Sequence, residues 1–308
     1  MIEALVKEKR TGALINDLQG QDFEVLDEGK RRIVTHFSKG EKKPPLALVL
    51  LFDLGHNGAG RFFHQLDIPT SLGAALTKLS PNDEVAIIAM TGKGFNTWQR
   101  QLTGFTNDRE KIRTALGKLP EVVNPDTFNV FFVADLLSEV AAETRTQRPN
   151  SYIVIVYVSD SLIAVGPTDR RRGAESLLRS NVTFSALLTK TKKSVTARSV
   201  PFKPLFLAFG ISTSGADYFA KQTGGEAIRV DKLEDYRAGL ERVLSDLASR
   251  YTLGFELASD EPKDGRLHRL EVRVKARDRS GKERKVEVLA RRAYYLSKSQ
   301  QEKERIRK

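Results

Sequence analysis

A chain of 308 residues is long enough to bury a full apolar core and to hold two domains. Its 40% hydrophobic and 29% charged content suits a folded globular chain, and no stretch approaches the roughly 20 apolar residues of a membrane-spanning helix. The absence of cysteine excludes disulfides, thiolate nucleophiles and cysteine-bound zinc, while a formal charge of +12 admits polyanionic partners.

In chain order, "IEALVKE" reads as a strand, and "DFEVLDEG" alternates Phe23 and Val25 with acids as a half-buried strand does. "LDEGKRR" supplies a turn into a further strand-like run, "RRIVTHFS". The polar, proline-ended "KGEKKPP" is a linker. From Leu46 the rhythm becomes strand, helix, strand. "LALVLLFD" is an apolar run ending at Asp53, the pattern of a parallel strand buried on both faces. "PTSLGAALTKLSPND" is a helix stopped at Ser80-Pro81, "EVAIIAMTG" a second buried strand and "NTWQRQLTGFT" an edge strand. "NDREKIRTALGKLP" is a helix capped by Asn107 or Asp108, with Ile112, Leu116 and Leu119 on one side. "VFFVADLLSEVAAETR" is a longer apolar helix, and "SYIVIVYVSD" is a third buried strand ending at Asp160. "GAESLLRSN" and "VTFSALLT" follow as helix and strand. Residues 190–204 read as a basic insertion loop, and "PLFLAFGIS" is ambiguous between strand and helix. "ADYFAKQTGGEAIRV" is a helix, a Gly-Gly stop and a short strand. In "DKLEDYRAGLERVLSDLASRY", Leu233, Tyr236, Leu240, Val243, Leu244 and Leu247 recur at helical spacing. "YTLGFELA", "RLHRLEVRVKAR" and "KVEVLARRAYY" are three closing strands, the last two joined by the turn "DRSGKE". Residues 298–308 form a charged tail.

Strands alternating with helices from 46 to 249 predict a parallel sheet covered on both faces. The flanking β-segments are each too short to stand alone, so strands from both chain ends are expected to pair into one small β-sandwich with the α/β domain inserted between them. The expected divisions are 1–43 (first part of the β-sandwich), 44–249 (the α/β domain), 250–297 (second part) and 298–308 (the tail). An enzyme is not expected. The four histidines lack the His-Glu-x-x-His spacing of a zinc hydrolase, and no Gly-x-Ser-x-Gly elbow surrounds Ser159 or Ser161. "GHNGAG" lacks the Gly-Lys-Ser/Thr ending of a phosphate loop.

A strand ending in Asp53, a strand ending in "VSD" about a hundred residues later, and the stretch "TGGEAIRVDKLEDYRAGLERVLSDLASRYTLGFE" together resemble the von Willebrand factor type A domain. More narrowly they resemble the bacterial VWFA-related proteins abundant in Acidobacteria. In these the domain is flanked by segments like "LQGQDFEVLDEGKRRIVTHF" and "RLHRLEVRVKA…VEVLARRAYY". The resemblance covers nearly the whole chain and implies a Rossmann-like, doubly wound sheet with a metal-ion-dependent adhesion site at its C-terminal edge. That site draws on Asp-x-Ser-x-Ser, a threonine and a second aspartate around Mg2+. Here Asp53 matches the first aspartate and Asp160 the last, but Gly55 and Asn57 stand at the serine positions, and Thr127 or Asn129 at the threonine. Asn57 retains an amide oxygen; Gly55 has no ligand to offer. Mg2+ demands near-ideal octahedral geometry, so Asp53, Asn57 and Asp160 are read as a weak, degenerate metal site left without Mg2+, and no cofactor is expected. Without a cation, the two acids favour protonation of one of them or a basic neighbour such as Arg61 or His56.

The resulting expectation is a non-enzymatic protein-interaction module, adhesion- or scaffold-like, that works through the loops at the C-terminal edge of the sheet. Partner contact is assigned to Gly55, His56, Asn57, Arg61, Thr127, Asn129, Ser161, Arg170, Arg171 and Arg172. The three arginines favour a protein partner that is acidic at the contact. The alternative is a polyanion binder, contacting nucleic acid or an anionic envelope polymer through its basic surface. The resemblance implies the cell envelope or secretion for many members. No signal peptide is visible, so either the protein stays in the cytoplasm or the chain is the mature part of something longer.

Overall fold

The computed structural model describes residues 1–40, 44–54, 63, 67–93, 96–123, 133–160, 166–189, 214–230, 235–257, 264–278 and 280–296, with the backbone alone at 67, 91–93, 96–98 and 160. Strands β1 (Ile2–Glu8), β2 (Phe23–Asp27), β3 (Lys30–Arg32) and β4 (His36–Lys39) come first. The alternating region follows: β5 (Leu46–Asp53), α1 (Asp67–Leu76), β6 (Glu84–Lys93), β7 (Asn96–Thr106), α2 (Arg109–Gly117), α3 (Leu119–Val122), α4 (Val133–Gln147), β8 (Tyr152–Asp160), α5 (Pro167–Arg179), β9 (Val182–Thr189), α6 (Gly215–Thr223), β10 (Ala227–Val230) and α7 (Asp235–Ala248). Four strands close the described chain: β11 (Tyr251–Gly254), β12 (Leu267–Val274), β13 (Val286–Leu289) and β14 (Ala293–Tyr295).

The chain divides into two compact units. One holds Met1–Lys42, Lys221–Gly225 and Asp246–Lys308; the other holds Lys43–Ala220 and Glu226–Ser245. The second unit is a six-stranded sheet of order β10-β9-β8-β5-β6-β7, parallel except for the edge strand β7. Strands β5, β8 and β9 are buried along both faces, which is why they read as unbroken apolar runs. Each fully buried Val or Leu contributes about 1.5–3 kcal/mol. Alternation divides the strands between faces. Val49, Leu51, Ile155, Tyr157, Phe184 and Leu188 join Leu137, Val140, Leu177 and Phe219 of α4, α5 and α6 in one core. On the other face Phe52 meets Phe63 edge-on at 5.2 Å, and Phe63 meets Tyr236 of α7 at 5.7 Å.

Helix starts follow local chemistry. Asp108 caps α2, accepting from the Glu110 and Lys111 backbone N–H groups at 2.9 and 3.2 Å. The sequence reading ran this helix on through Leu119; the chain instead breaks at Lys118, and α3 begins afresh with Pro120 in its first turn. Helix α5 begins six residues earlier than read, because Gly166 and Pro167 form the start and proline lacks only an N–H that a first turn leaves unpaired.

The first unit holds two four-stranded sheets, each drawing strands from both ends of the chain. Their orders are β13-β1-β11-β4 and β14-β12-β2-β3. Residues of both sheets, among them Val6, Val25, Tyr251, Leu253 and Leu270, belong to one apolar cluster. Two segments read as single strands each split between the sheets. "RRIVTHFS" becomes β3, paired with β2, and β4, paired with β11. "KVEVLARRAYY" becomes β13, paired with β1, and β14, paired with β12. The Gly-Gly stop lies at the end of α6. Gly224 has φ +81°, and a side chain there would come within 2.7 Å of the Ala290–Arg291 backbone.

Candidate functional site

The strand order fixes where a site belongs. From β5 the chain moves to β6 and β7 on one side, then returns to place β8 on the other. Connections leaving β5 and β8 therefore diverge, and open α/β sheets take ligands in the crevice beyond such a switch point. Asp53 and Asp160 are the terminal residues of these two adjacent strands.

Parallel pairing sets Phe52 opposite Val158, so Asp53 and Ser159 follow side by side. Asp53 has the same strand parity as Val49 and Leu51 and faces α4, α5 and α6. It is 4% exposed. Its Oδ2 accepts hydrogen bonds from the Tyr157 hydroxyl at 2.9 Å and the Ser159 hydroxyl at 3.0 Å, both from β8 and both fully buried. Hydrogen bonds to an ionised acceptor are roughly twice as strong as neutral ones, and burial removes competing water. The carboxylate is thus oriented by the neighbouring strand. At the same sheet edge, on the opposite face, the hydroxyls of Thr189 and Tyr236 bond to each other.

Asp160 ends β8 with its backbone opposite Thr189. Its side chain lies outside the described residues, as do Gly55, His56, Asn57, Arg61, Thr127, Asn129 and Ser161, and as do the insertion loop at 190–204 and the ambiguous segment after it. Of the residues read as metal ligands, Asp53 alone has its side chain among the described residues, and its Oδ2 carries the two hydroxyl donors. Among the described residues no three acidic or histidine side chains gather where they would hold a metal.

The arginines of α5 have separate surroundings. Arg172 NH2 bridges Asp135 of α4 at 2.6 Å and Asp169 at 3.1 Å. The Arg170 guanidinium lies 4.8 Å from the ring centre of Tyr218 on α6, within cation–π range. Arg171 is exposed. The sequence reading passes over Tyr157 and weighs Ser159 only as a nucleophile. A tyrosine and a serine of one parity inside the apolar run "YIVIVYVSD" were the available signal.

No protein-family model matches this chain, and no curated protein sequence matches it. Solved structures share its architecture loosely. A von Willebrand factor type A protein from Catenulispora acidiphila aligns over 94% of this chain and 76% of its own, at 10% identity and a TM-score of 0.48. Proximal thread matrix protein 1 from the mussel byssus aligns over 69% of this chain and 49% of its own, at 9% identity and a TM-score of 0.46. The human COPII-coat protein Sec24c aligns over 95% of this chain and 55% of its own, at 9% identity and a TM-score of 0.44. The chain thus spans about half the length of the mussel and human chains. It is similar in structure to a von Willebrand factor type A protein at low sequence identity.

Proposed function

We propose that this chain is a non-enzymatic protein-interaction module of the von Willebrand factor A type. In this reading the Rossmann-like, doubly wound domain at 44–249 is inserted in a small β-sandwich made from 1–43 and 250–297. Partners meet the loops beyond the β5–β8 switch point. The observation that supports this most is the Asp53 carboxylate held at that edge by the Tyr157 and Ser159 hydroxyls. A buried serine whose hydroxyl already bonds a carboxylate is closed to substrate, which favours binding over hydrolysis.

The adhesion site is degenerate in this reading, and binding proceeds without a resident metal. Arg171 is the arginine available to an acidic partner, since Arg172 is paired and Arg170 stacks on Tyr218. No described helix is long and apolar enough to cross a membrane. An envelope or extracellular setting is part of the proposal.

Selection from a displayed random-peptide library, run in EDTA and again in Mg2+, tests this function. The expected ligands are acidic, bind equally in both buffers and weaken about tenfold with Arg171→Glu, a difference of roughly 1.4 kcal/mol. Ligands that require Mg2+, or that ignore Arg171→Glu, would overturn it.

A further inference from the structure

Several exposed cations on this protein have an acid beside them. Arg113 pairs with Glu110, Arg229 with Asp217, Arg237 with Glu241, Arg242 with Glu226 and Arg273 with Glu271. Six others lie close together. In the first unit, Lys9, Arg10, Lys275, Arg277, Lys282 and Lys285 are all exposed, and none makes an ion pair among the described residues.

Two turns bring these six cations together. The chain leaving β1 doubles back, with the Glu8 N–H donating to the Ala13 carbonyl and the Gly12 N–H to the Glu8 carbonyl, each at 2.8 Å. The β12–β13 connection closes through the Arg284 N–H on the Ala276 carbonyl and the Asp278 N–H on the Lys282 carbonyl, each at 2.9 Å. The Lys9 N–H donates to the Lys285 carbonyl at 2.9 Å and joins the two turns side by side. Gly12 and Gly281 have φ of +71° and +85°, and a side chain built at either meets nothing within 4 Å. Both turns therefore project into open space.

The acids nearby do not cancel this charge. Described residues of 8–14 and 275–285 carry seven cationic side chains against three acidic ones, Glu8, Asp278 and Glu283. Asp278 is spent on the turn itself. Its Oδ1 accepts from the Ser280 hydroxyl at 2.6 Å, the Ser280 N–H at 2.8 Å and the Lys282 N–H at 3.0 Å. Those bonds tie Asp278 to the described turn residues Ser280 and Lys282. Arg284, the seventh cation, is paired with Asp17.

Neither segment carries an aromatic ring or a side-chain amide. Base stacking and adenine-type hydrogen bonding are absent from such a surface. What remains is a projecting, purely cationic contact suited to a continuous field of phosphate headgroups. We propose that this paired-turn tip docks the protein on an anionic lipid surface. The attraction is electrostatic and reversible, since no large apolar side chain of the two turns is exposed for insertion, and it is screened by salt. This inference concerns the first unit, the rim reading concerns the second, and it stands or falls separately.

Co-sedimentation of the full chain with phosphatidylcholine vesicles, with and without 30% phosphatidylserine (roughly the anionic fraction that makes a surface attractive to polybasic segments), tests it. Binding is expected only to the anionic vesicles and should fall steeply between about 0.1 and 0.5 M salt. Replacing Lys9, Arg10, Lys282 and Lys285 with Gln should weaken it on the order of a hundredfold or more. A charge-matched variant, with Lys30, Arg100, Lys111 and Lys118 replaced by Gln, should stay within about threefold. A charge-conserving variant, with Lys9, Lys282 and Lys285 replaced by Arg, should bind like the parent and guards against loss of folding. Absence of binding to anionic vesicles, or equal losses in both Gln variants, would overturn the proposal. Tip-dependent binding to duplex DNA with none to vesicles would reassign the surface to nucleic acid.

Discussion

Among the described residues three aspartates are buried, and the two units hold them by different means. In the first unit, Asp246 meets the Lys7 ammonium at 2.8 Å and Asp27 meets the Arg32 guanidinium at 2.6 Å. In the second, the described donors to Asp53 are two hydroxyls from the next strand. An ion pair cancels charge and ties two segments together. Hydroxyl donors orient a carboxylate. Both arrangements fix a buried carboxyl group in place.

The comparison breaks most easily where backbone, not charge, holds the first unit. Gly224→Ala forces a left-handed residue against the Ala290–Arg291 backbone and should cost about 4 kcal/mol in urea unfolding. A loss under roughly 1 kcal/mol would mean that the contact yields. Next in size is the ion pair. Lys7→Met removes the ammonium beside Asp246 and should cost about 3 kcal/mol, whereas Lys7→Met combined with Asp246→Leu should recover most of it. Failure of the double variant to recover would show that the pair does more than neutralise itself.

The hydroxyl clamp sharpens the contrast on the other side. Tyr157→Phe and Ser159→Ala should each cost about 1.5 kcal/mol, the range for a hydrogen bond to a charged group, with the fold intact by circular dichroism. Arg172→Ala, which loses only exposed pairs, should stay within about 0.5 kcal/mol in the same assay.

The smallest effect is acid-dependent. His268 and then Arg266, by hydrogen bonding, hold the Asp264 carboxyl well below its ordinary value of 3.8. A depressed folded-state value contributes stability that is fully present above the unfolded value and is lost as pH falls through the folded one. His268→Ala should therefore flatten the decline in melting temperature below about pH 4 and leave the neutral range little changed. An unaltered acid limb would remove Asp264 from the account.

Much of the fold was legible in the sequence, for a physical reason. Strands β5, β8 and β9 are buried on both faces, and apolar runs ended by aspartate or threonine mark them without any knowledge of their neighbours. The paired sheets were harder to read. β3 and β4, like β13 and β14, are separated by only a few residues yet pair in different sheets, and that choice depends on partners more than 200 residues away in sequence. Asp53 was visible as a strand-end acid. Its hydroxyl donors were not, because only the β5–β8 register places Tyr157 and Ser159 beside it.

The central proposal is that the rim beside Asp53 works without metal. Calorimetric titration of the full chain with Mg2+ and then Mn2+, repeated on Asp53→Ala, tests it most directly. The account predicts no saturable heat from either protein at millimolar ion. Saturable binding by the parent chain that Asp53→Ala abolishes would contradict it.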